Sequence, residues 1–171
     1  ADYYYVNKSS LPKVYGGFNT SLSWKGFDLS AIFAYSIGGY IYNRDITMIL
    51  HNGSLEGRAW STEILRRWTP DNRYTDVPAL STTSNNWNSA STRFLQNNSY
   101  MRLKNLTLSY NLPKPWVSKL ALSSVQVYVQ GDNLFTIHEN QGLDPEQGIT
   151  GITYYRYPAM RTISGGINIA F

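Results

Sequence analysis

The stretch Arg161-Thr162-Ile163-Ser164-Gly165-Gly166-Ile167-Asn168-Ile169-Ala170-Phe171 decides how this chain is read. Counting back from Phe171, the residues Ile169, Ile167, Gly165 and Ile163 fall on one face of an extended strand. Ala170, Asn168, Gly166, Ser164 and Thr162 fall on the other. Strand side chains alternate between two faces, so the pattern predicts a strand with one apolar side. A strand that alternates up to a closing aromatic is how outer-membrane β-barrels finish. A barrel in lipid tolerates no free edge and uses its last strand fully. An ordinary half-buried strand alternates in the same way, so the rest of the chain has to separate the two.

Four more segments alternate. Residues 13–24 set Val14, Gly16, Phe18, Thr20, Leu22 and Trp24 against Lys13, Tyr15, Gly17, Asn19, Ser21 and Ser23. After Lys25-Gly26, a two-residue connection suited to a tight hairpin, residues 27–37 set Phe27, Leu29, Ala31, Phe33, Tyr35 and Ile37 against Asp28, Ser30, Ile32, Ala34 and Ser36. Residues 99–112 set Leu106, Leu108, Tyr110 and Leu112 against Leu103, Asn105, Thr107, Ser109 and Asn111. Residues 124–137 set Val125, Val127 and Val129 against Gln126, Tyr128, Gln130 and Asp132.

Length separates the readings better than alternation. Strands of about 12 residues exceed the 5–6 usual in soluble proteins. At ~3.3 Å per residue and a tilt near 45°, they rise roughly 28 Å, close to the hydrocarbon thickness of a bilayer. Trp24, Phe27, Tyr110, Trp116 and Phe171 gather at one set of strand ends, as an aromatic girdle would. Connections alternate as well: Lys25-Gly26 and the short Pro113-Lys114-Pro115-Trp116 stretch on one side, residues 38–98 and 139–160 on the other. Short periplasmic turns and long extracellular loops are the outer-membrane arrangement. Phe18, Leu22, Leu29, Phe33, Leu106, Leu108, Val125, Val127, Ile167, Ile169 and Phe171 are then expected to face lipid. Single-chain bacterial barrels begin at about eight strands, so five must be completed by other polypeptide. With no secretory leader at its start, the chain is expected to be part of a longer protein.

Composition agrees. Aromatics reach 15% and charged residues only 15%, with mean hydropathy −0.34, an average that a barrel with one apolar and one polar face also produces. No apolar run is long enough for a transmembrane helix. Cysteine is absent, which removes disulfides and thiolate metal sites. The net charge of +4 is scattered, with only Arg66-Arg67 adjacent, which argues against nucleic-acid binding. Within the long loop, Ser54 to Trp68 reads as a short amphipathic helix: Ser54 as N-cap, Trp60, Ile64 and Trp68 at i, i+4, i+8, and Pro70 as the stop.

Several phrases then carry a resemblance: Trp68-Thr69-Pro70-Asp71-Asn72, Tyr100-Met101-Arg102-Leu103-Lys104-Asn105-Leu106-Thr107-Leu108-Ser109-Tyr110, Gly131-Asp132-Asn133-Leu134-Phe135-Thr136, Leu143-Asp144-Pro145-Glu146, Tyr157-Pro158 and Arg161-Thr162. In this order the chain resembles, over residues 1–171, the C-terminal barrel portion of the SusC/RagA family of TonB-dependent outer-membrane transporters of Bacteroidota. The resemblance implies an all-β fold: the last five strands of a 22-stranded transmembrane antiparallel β-barrel, with one short helix in a long extracellular loop. It implies import of oligosaccharides, or of peptides, through the outer membrane. The partners it implies are the rest of the barrel and its plug, a SusD-like surface lipoprotein acting as a lid, and TonB through an N-terminal segment outside these residues. Two other readings stand beside it: a TonB-dependent receptor for an iron chelate without a lid, and a soluble β-sandwich carbohydrate-binding module.

No catalytic constellation or cofactor motif is present, and an enzyme is not expected. His138, Glu139, Asp144 and Glu146 match no metal-site spacing, and Asp144-Pro145-Glu146 reads as a turn before it reads as a glycosidase pair. The loop aromatics Trp60, Trp68, Trp87, Tyr154 and Tyr155 are the candidates for contact with substrate or partner, by stacking on sugar faces or packing on protein. The i, i+4, i+8 spacing favours Trp60 and Trp68 docking their own helix on neighbouring loops, whereas Trp87, in a polar stretch with no periodic partner, favours contact with substrate or partner.

Overall fold

The computed structural model describes residues 4–51, 53, 55, 57–81, 87, 89–140, 142–146 and 148–171. In chain order the strands are β1 (Val14–Trp24), β2 (Phe27–Ile37), β3 (Tyr40–Asn43), β4 (Leu95–Asn97), β5 (Tyr100–Asn111), β6 (Ser124–His138), β7 (Ile152–Thr153) and β8 (Thr162–Ala170). Two short helices, α1 (Arg44–Ile49) and α2 (Lys114–Val117), and several 3-10 turns complete the elements. The chain forms two compact units. A sheet unit contains Pro12–Gly39, Asn98–Glu146 and Tyr157–Phe171, and a loop unit contains Ala1–Leu11, Tyr40–Asn97 and Gln147–Arg156.

The sheet unit is a five-stranded antiparallel sheet in the order β1-β2-β5-β6-β8, and it is not closed. The five segments expected from alternation are these five strands. β1 turns into β2 through Lys25 and Gly26, both at positive φ (48° and 89°), which a type I′ hairpin requires. Residues directly opposite in an antiparallel pair share a face, so the register shows whether the faces agree across the sheet. They do. Leu22, Leu29, Leu108, Val129 and Gly165 form one row, and Trp24, Phe27, Tyr110, Val127 and Ile167 another. Next to the first of these, Ser21, Ser30, Thr107, Gln130 and Ser164 form a polar row on the opposite face.

The apolar face carries stacked aromatics, Phe18 on Phe33 at 4.7 Å and Phe27 on Tyr110 at 4.5 Å between centroids. The polar face is cross-linked by side-chain hydrogen bonds. Asn168 Nδ2 donates to Gln126 Oε1 (3.1 Å), Gln126 Nε2 to Ser109 Oγ (3.3 Å), and Asn105 Nδ2 to Asp132 Oδ1 (2.8 Å). Leu22, Leu29, Leu108, Val127, Ile163 and Ile167 remain exposed. A sandwich would bury that face against a second sheet.

Two irregularities reset the faces. Ile32 lies opposite Asn105 but Phe33 opposite Leu103, so Lys104 is an extra residue in β5. Asn105 lies opposite Asp132 but Leu103 opposite Phe135, so β6 in turn carries an extra residue at Asn133-Leu134. Leu103 therefore joins Phe33 and Phe135 and is buried, whereas strict alternation placed it with Asn105 on the polar face. The bulge is the physical reason for the difference. Asn133 supplies the left-handed conformation there (φ 52°), and a Cβ on Gly131 would lie 2.6 Å from Leu134 Cδ2. The outer strands have their own close approaches: a Cβ on Gly16 would meet Tyr35 Oη at 3.0 Å, and one on Gly166 would meet Tyr128 Oη at 2.7 Å.

The β5–β6 connection is more structured than its prolines suggested. Pro113 precedes α2, Pro115 sits in its first turn where no N–H is needed, and Val117 is buried.

In the loop unit, β3 pairs antiparallel with β4 and parallel with β7. Ile41, Leu50, Ile64, Val77 and Phe94 form its core. Asn43 caps α1, its Oδ1 accepting from Ile46 N at 3.1 Å. Among the described residues the amphipathic helix expected from Ser54 to Trp68 is not formed. Gly57 holds positive φ (72°), which a right-handed helix excludes, and of the described residues in this stretch Thr62–Arg66 alone makes a 3-10 turn. Ser61 caps that turn by accepting from Glu63 N at 3.3 Å; Ser54, the expected cap, lies outside the described residues. Of the three residues spaced four apart, only Ile64 is buried.

Candidate functional site

All five loop aromatics singled out in the sequence fall in the loop unit. Trp60 is 40% exposed and meets His51 edge to face at 5.1 Å. His51 is fully buried, and among the described residues its ring nitrogens make no hydrogen bond of good geometry, the backbone at Arg58 being the nearest approach to one. Burial holds its pKa below the ordinary histidine value, because the charged form has lost its water. Trp68 is part-exposed, with its backbone N–H on the Val77 carbonyl (2.8 Å). Trp87 donates its indole N–H to the Leu50 carbonyl and lies 3.4 Å beneath the Arg93 guanidinium. Both contacts tie it to its neighbours.

Tyr154 and Tyr155 differ from these. Their rings lie 4.1 Å apart between centroids and stand out of the surface, Tyr155 at 66% exposure. Tyr155 has positive φ (48°), a conformation that costs a side-chain-bearing residue roughly 1–2 kcal/mol. It is held there by its N–H on Asp45 Oδ1 (3.0 Å) and its hydroxyl on Met48 Sδ (3.4 Å). The Arg44 guanidinium sits 4.8 Å over the Tyr154 ring. The result is a fixed aromatic pair with a cation over the Tyr154 ring, which leaves the more exposed Tyr155 ring to stack on a flat ligand face.

In the sheet unit the phrases that carried the resemblance, all but Trp68–Asn72, contribute to the lining of one cavity of about 640 Å³. Arg102 of β5 points into a cluster of charges. Its Nη2 donates to Asp144, its Nη1 to Glu146 Oε2 (3.0 Å) and its Nε to Thr136 Oγ1 (2.9 Å). Lys104, the bulge residue, reaches the same Glu146 (2.6 and 2.7 Å). Asp144 also accepts from Glu146 N (2.9 Å) and Ala159 N (2.6 Å), which pins two loop segments to β5. Burial by itself would raise the Asp144 carboxyl, but the bonds from Ala159, Arg102 and Glu146 together hold it below the usual range. Asp144 and Glu146 thus belong to an ion-pair network, and neither a metal cluster nor a glycosidase pair is assembled from them. Among the described residues no group of three metal-ligating side chains occurs.

Arg102, Arg44 and Arg161 were not singled out from the sequence. Arg102 and Lys104 two apart on a strand were a usable signal, since same-face cations in a wall of apolar and hydroxyl residues call for acidic partners elsewhere. The expected lipid-facing residues from Phe18 to Ile169 lie together on the apolar face, and Phe171 extends beyond β8, fully exposed.

Comparison with known proteins gives the fold its context. The chain is 34% identical to a chain in the structure of the RagAB peptide importer in its open-open state, with a TM-score of 0.84, covering 97% of this chain and 18% of that one. It is 37% identical over 167 residues to TonB-dependent receptor P3 of Formosa agariphila, covering 91% of this chain. It is 26% identical over 171 residues to TonB-dependent receptor SusC of Bacteroides thetaiotaomicron, covering 98% of this chain. The chain spans only 16–17% of the length of the curated relatives it matches. No family model matches it. An open antiparallel sheet with one apolar and one polar face, of this likeness, is similar to part of the β-barrel wall of the TonB-dependent receptor class. Within that class the chain is SusC/RagA-like over nearly its whole length.

Proposed function

We infer that the complete protein is an active importer of nutrients in the outer membrane, with the apolar face of the sheet against lipid and the polar face toward the lumen. Energy comes through TonB, and a SusD-like surface lipoprotein covers the extracellular mouth. The observation that carries this reading is the in-register segregation of apolar and polar rows across all five strands. Lipid on one side and water on the other ask for that segregation. The protein transports its cargo and does no covalent chemistry on it.

The cargo is an oligosaccharide on the strength of the Tyr154–Tyr155 platform, whose ring faces suit a sugar ring. A peptide is the second reading, supported by the likeness to a peptide importer at 34% identity. The test is uptake by the full-length transporter in cells, with labelled oligosaccharides and labelled peptides offered in parallel. Tyr154→Ala combined with Tyr155→Ala should lower uptake of the true cargo while surface levels stay at the parental value. Undiminished uptake of both would remove the platform from the transport path.

A further inference from the structure

We propose that the cavity of the sheet unit is a carboxylate-binding subsite, with Arg161 as its anchor and an apolar floor for the group beside the carboxylate. The argument begins with charge. Among the residues lining the cavity, Arg102 and Asp144 neutralise each other, and the Glu146 that also takes Arg102 is matched by Lys104. Those four charges cancel. Arg161 lines the same cavity and is paired with no acidic side chain among the described residues. Asp132, the nearest acid along β6, lies outside the lining and accepts from Asn105 and Gln130. The cavity therefore presents one uncompensated guanidinium.

The wall behind that guanidinium is built in advance. Ala159 N is held by Asp144, and the Met160 carbonyl accepts from Asn133 Nδ2 at 3.2 Å, so the two residues preceding Arg161 are fixed from two directions. Asn133 is itself set by the β6 bulge. A ligand would find the backbone that carries the anchor already held, which lowers part of the ordering cost of binding. Around it Phe135, Leu143, Pro145 and Pro158 are apolar and His138 stands at the rim. A guanidinium offers a carboxylate two parallel N–H donors, and the apolar floor favours a carboxylate with a hydrophobic neighbour. The C-terminus of a short peptide has that chemistry, and a uronic-acid sugar supplies the same anion without the apolar neighbour.

The subsite rests on the importer reading only for the origin of its ligand, and binding is measured apart from uptake. The purified full-length transporter in detergent is titrated with an acetylated tripeptide ending in phenylalanine, as free acid and as C-terminal amide, and with digalacturonate. The free acid should bind at least tenfold tighter than the amide, and Arg161→Ala should abolish the difference while Arg161→Lys keeps part of it. Binding of digalacturonate that Arg161→Ala also abolishes would keep the carboxylate site and make the sugar acid its source. Equal binding of acid and amide together with Arg161-independent digalacturonate binding would overturn the proposal. A preference for the acid that survives Arg161→Ala would overturn it too. A heat-modifiability gel on each variant checks the barrel, and loss of uptake with the binding preference intact would count against the importer reading alone.

Discussion

Arg102 and Asp144 face each other shielded from bulk water, their side chains 3% and 8% exposed. A buried pair of this kind is weak evidence of net stability, but removing one partner is costly because the other is left charged in a poor solvent. Asp144→Ala should therefore destabilise the loop at 142–146 and its anchor at Ala159 by about 3–5 kcal/mol. Hydrogen exchange of the full-length protein in detergent should show faster exchange at those amides. Because the folded carboxyl titrates below its ordinary value, the contribution is complete above about pH 4 and fades as pH falls through the lower folded pKa. Protection of the Ala159 amide, after division by the intrinsic exchange rate at each pH, should fall only in that acid range.

The two faces make a paired prediction. Arg at Leu108 or Val127 should cost roughly 2–4 kcal/mol in lipid, and Arg at Thr107 or Gln126 far less. Urea titration of the barrel in vesicles measures both. A lipid-accessibility label on cysteines at the same positions separates lipid exposure from ordinary core burial. Equal tolerance of the two sets would invert the assignment of faces.

The β6 bulge depends on a left-handed residue and a missing side chain. Asn133→Gly keeps the positive φ and loses only the hydrogen bond to the Met160 carbonyl, whereas Asn133→Val loses the bond and should cost on the order of 1–2 kcal/mol more, because a β-branched side chain resists positive φ. Gly131→Ala should be destabilising by itself and largely relieved when Leu134→Ala is added, since Leu134 occupies the space a Cβ would need. Thermal midpoints of the three single variants and the double variant decide this.

His51 gives a pH dependence of opposite origin. Its folded pKa is lowered by burial, so the unfolded loop takes up a proton first. The packing of His51 against Trp60 is therefore complete above the ordinary value of about 6.5 and weakens as pH falls below it. Tryptophan emission near pH 5.5 should shift to the red relative to pH 7.5. His51→Phe keeps an edge-to-face partner for Trp60 and should flatten the change.

What the sequence disclosed follows from how local each signal is. Strand positions and faces were legible because alternation is written every second residue, and β1, β2, β5, β6 and β8 lie where it placed them. Leu103 escaped because a bulge shifts phase without marking the strand that carries it. The 54–68 helix failed because spacing at Trp60, Ile64 and Trp68 outweighed Gly57, whose positive φ cannot be read from periodicity. At the candidate site, Tyr154 and Tyr155 were visible as loop aromatics. Their neighbour Arg44 was not, since a contact across 110 positions leaves no local trace. The Arg102 network was invisible for the same reason: its carboxylates arrive from more than 40 residues away.

The tyrosines that lie over glycines act on alignment. Tyr35 of β2 rests where Gly16 of β1 lacks a side chain, and Tyr128 of β6 rests where Gly166 of β8 does. Sliding β1 by two positions keeps every apolar residue on its proper side, so hydrophobicity alone does not forbid it. It would, however, drive the Tyr35 phenol onto Val14 or Phe18. The same slide of β8 would bring Tyr128 against Ser164 or Asn168. Each flanking strand is thus keyed to one position, as a tooth admits one notch, and a strand arriving late in assembly has a single resting place.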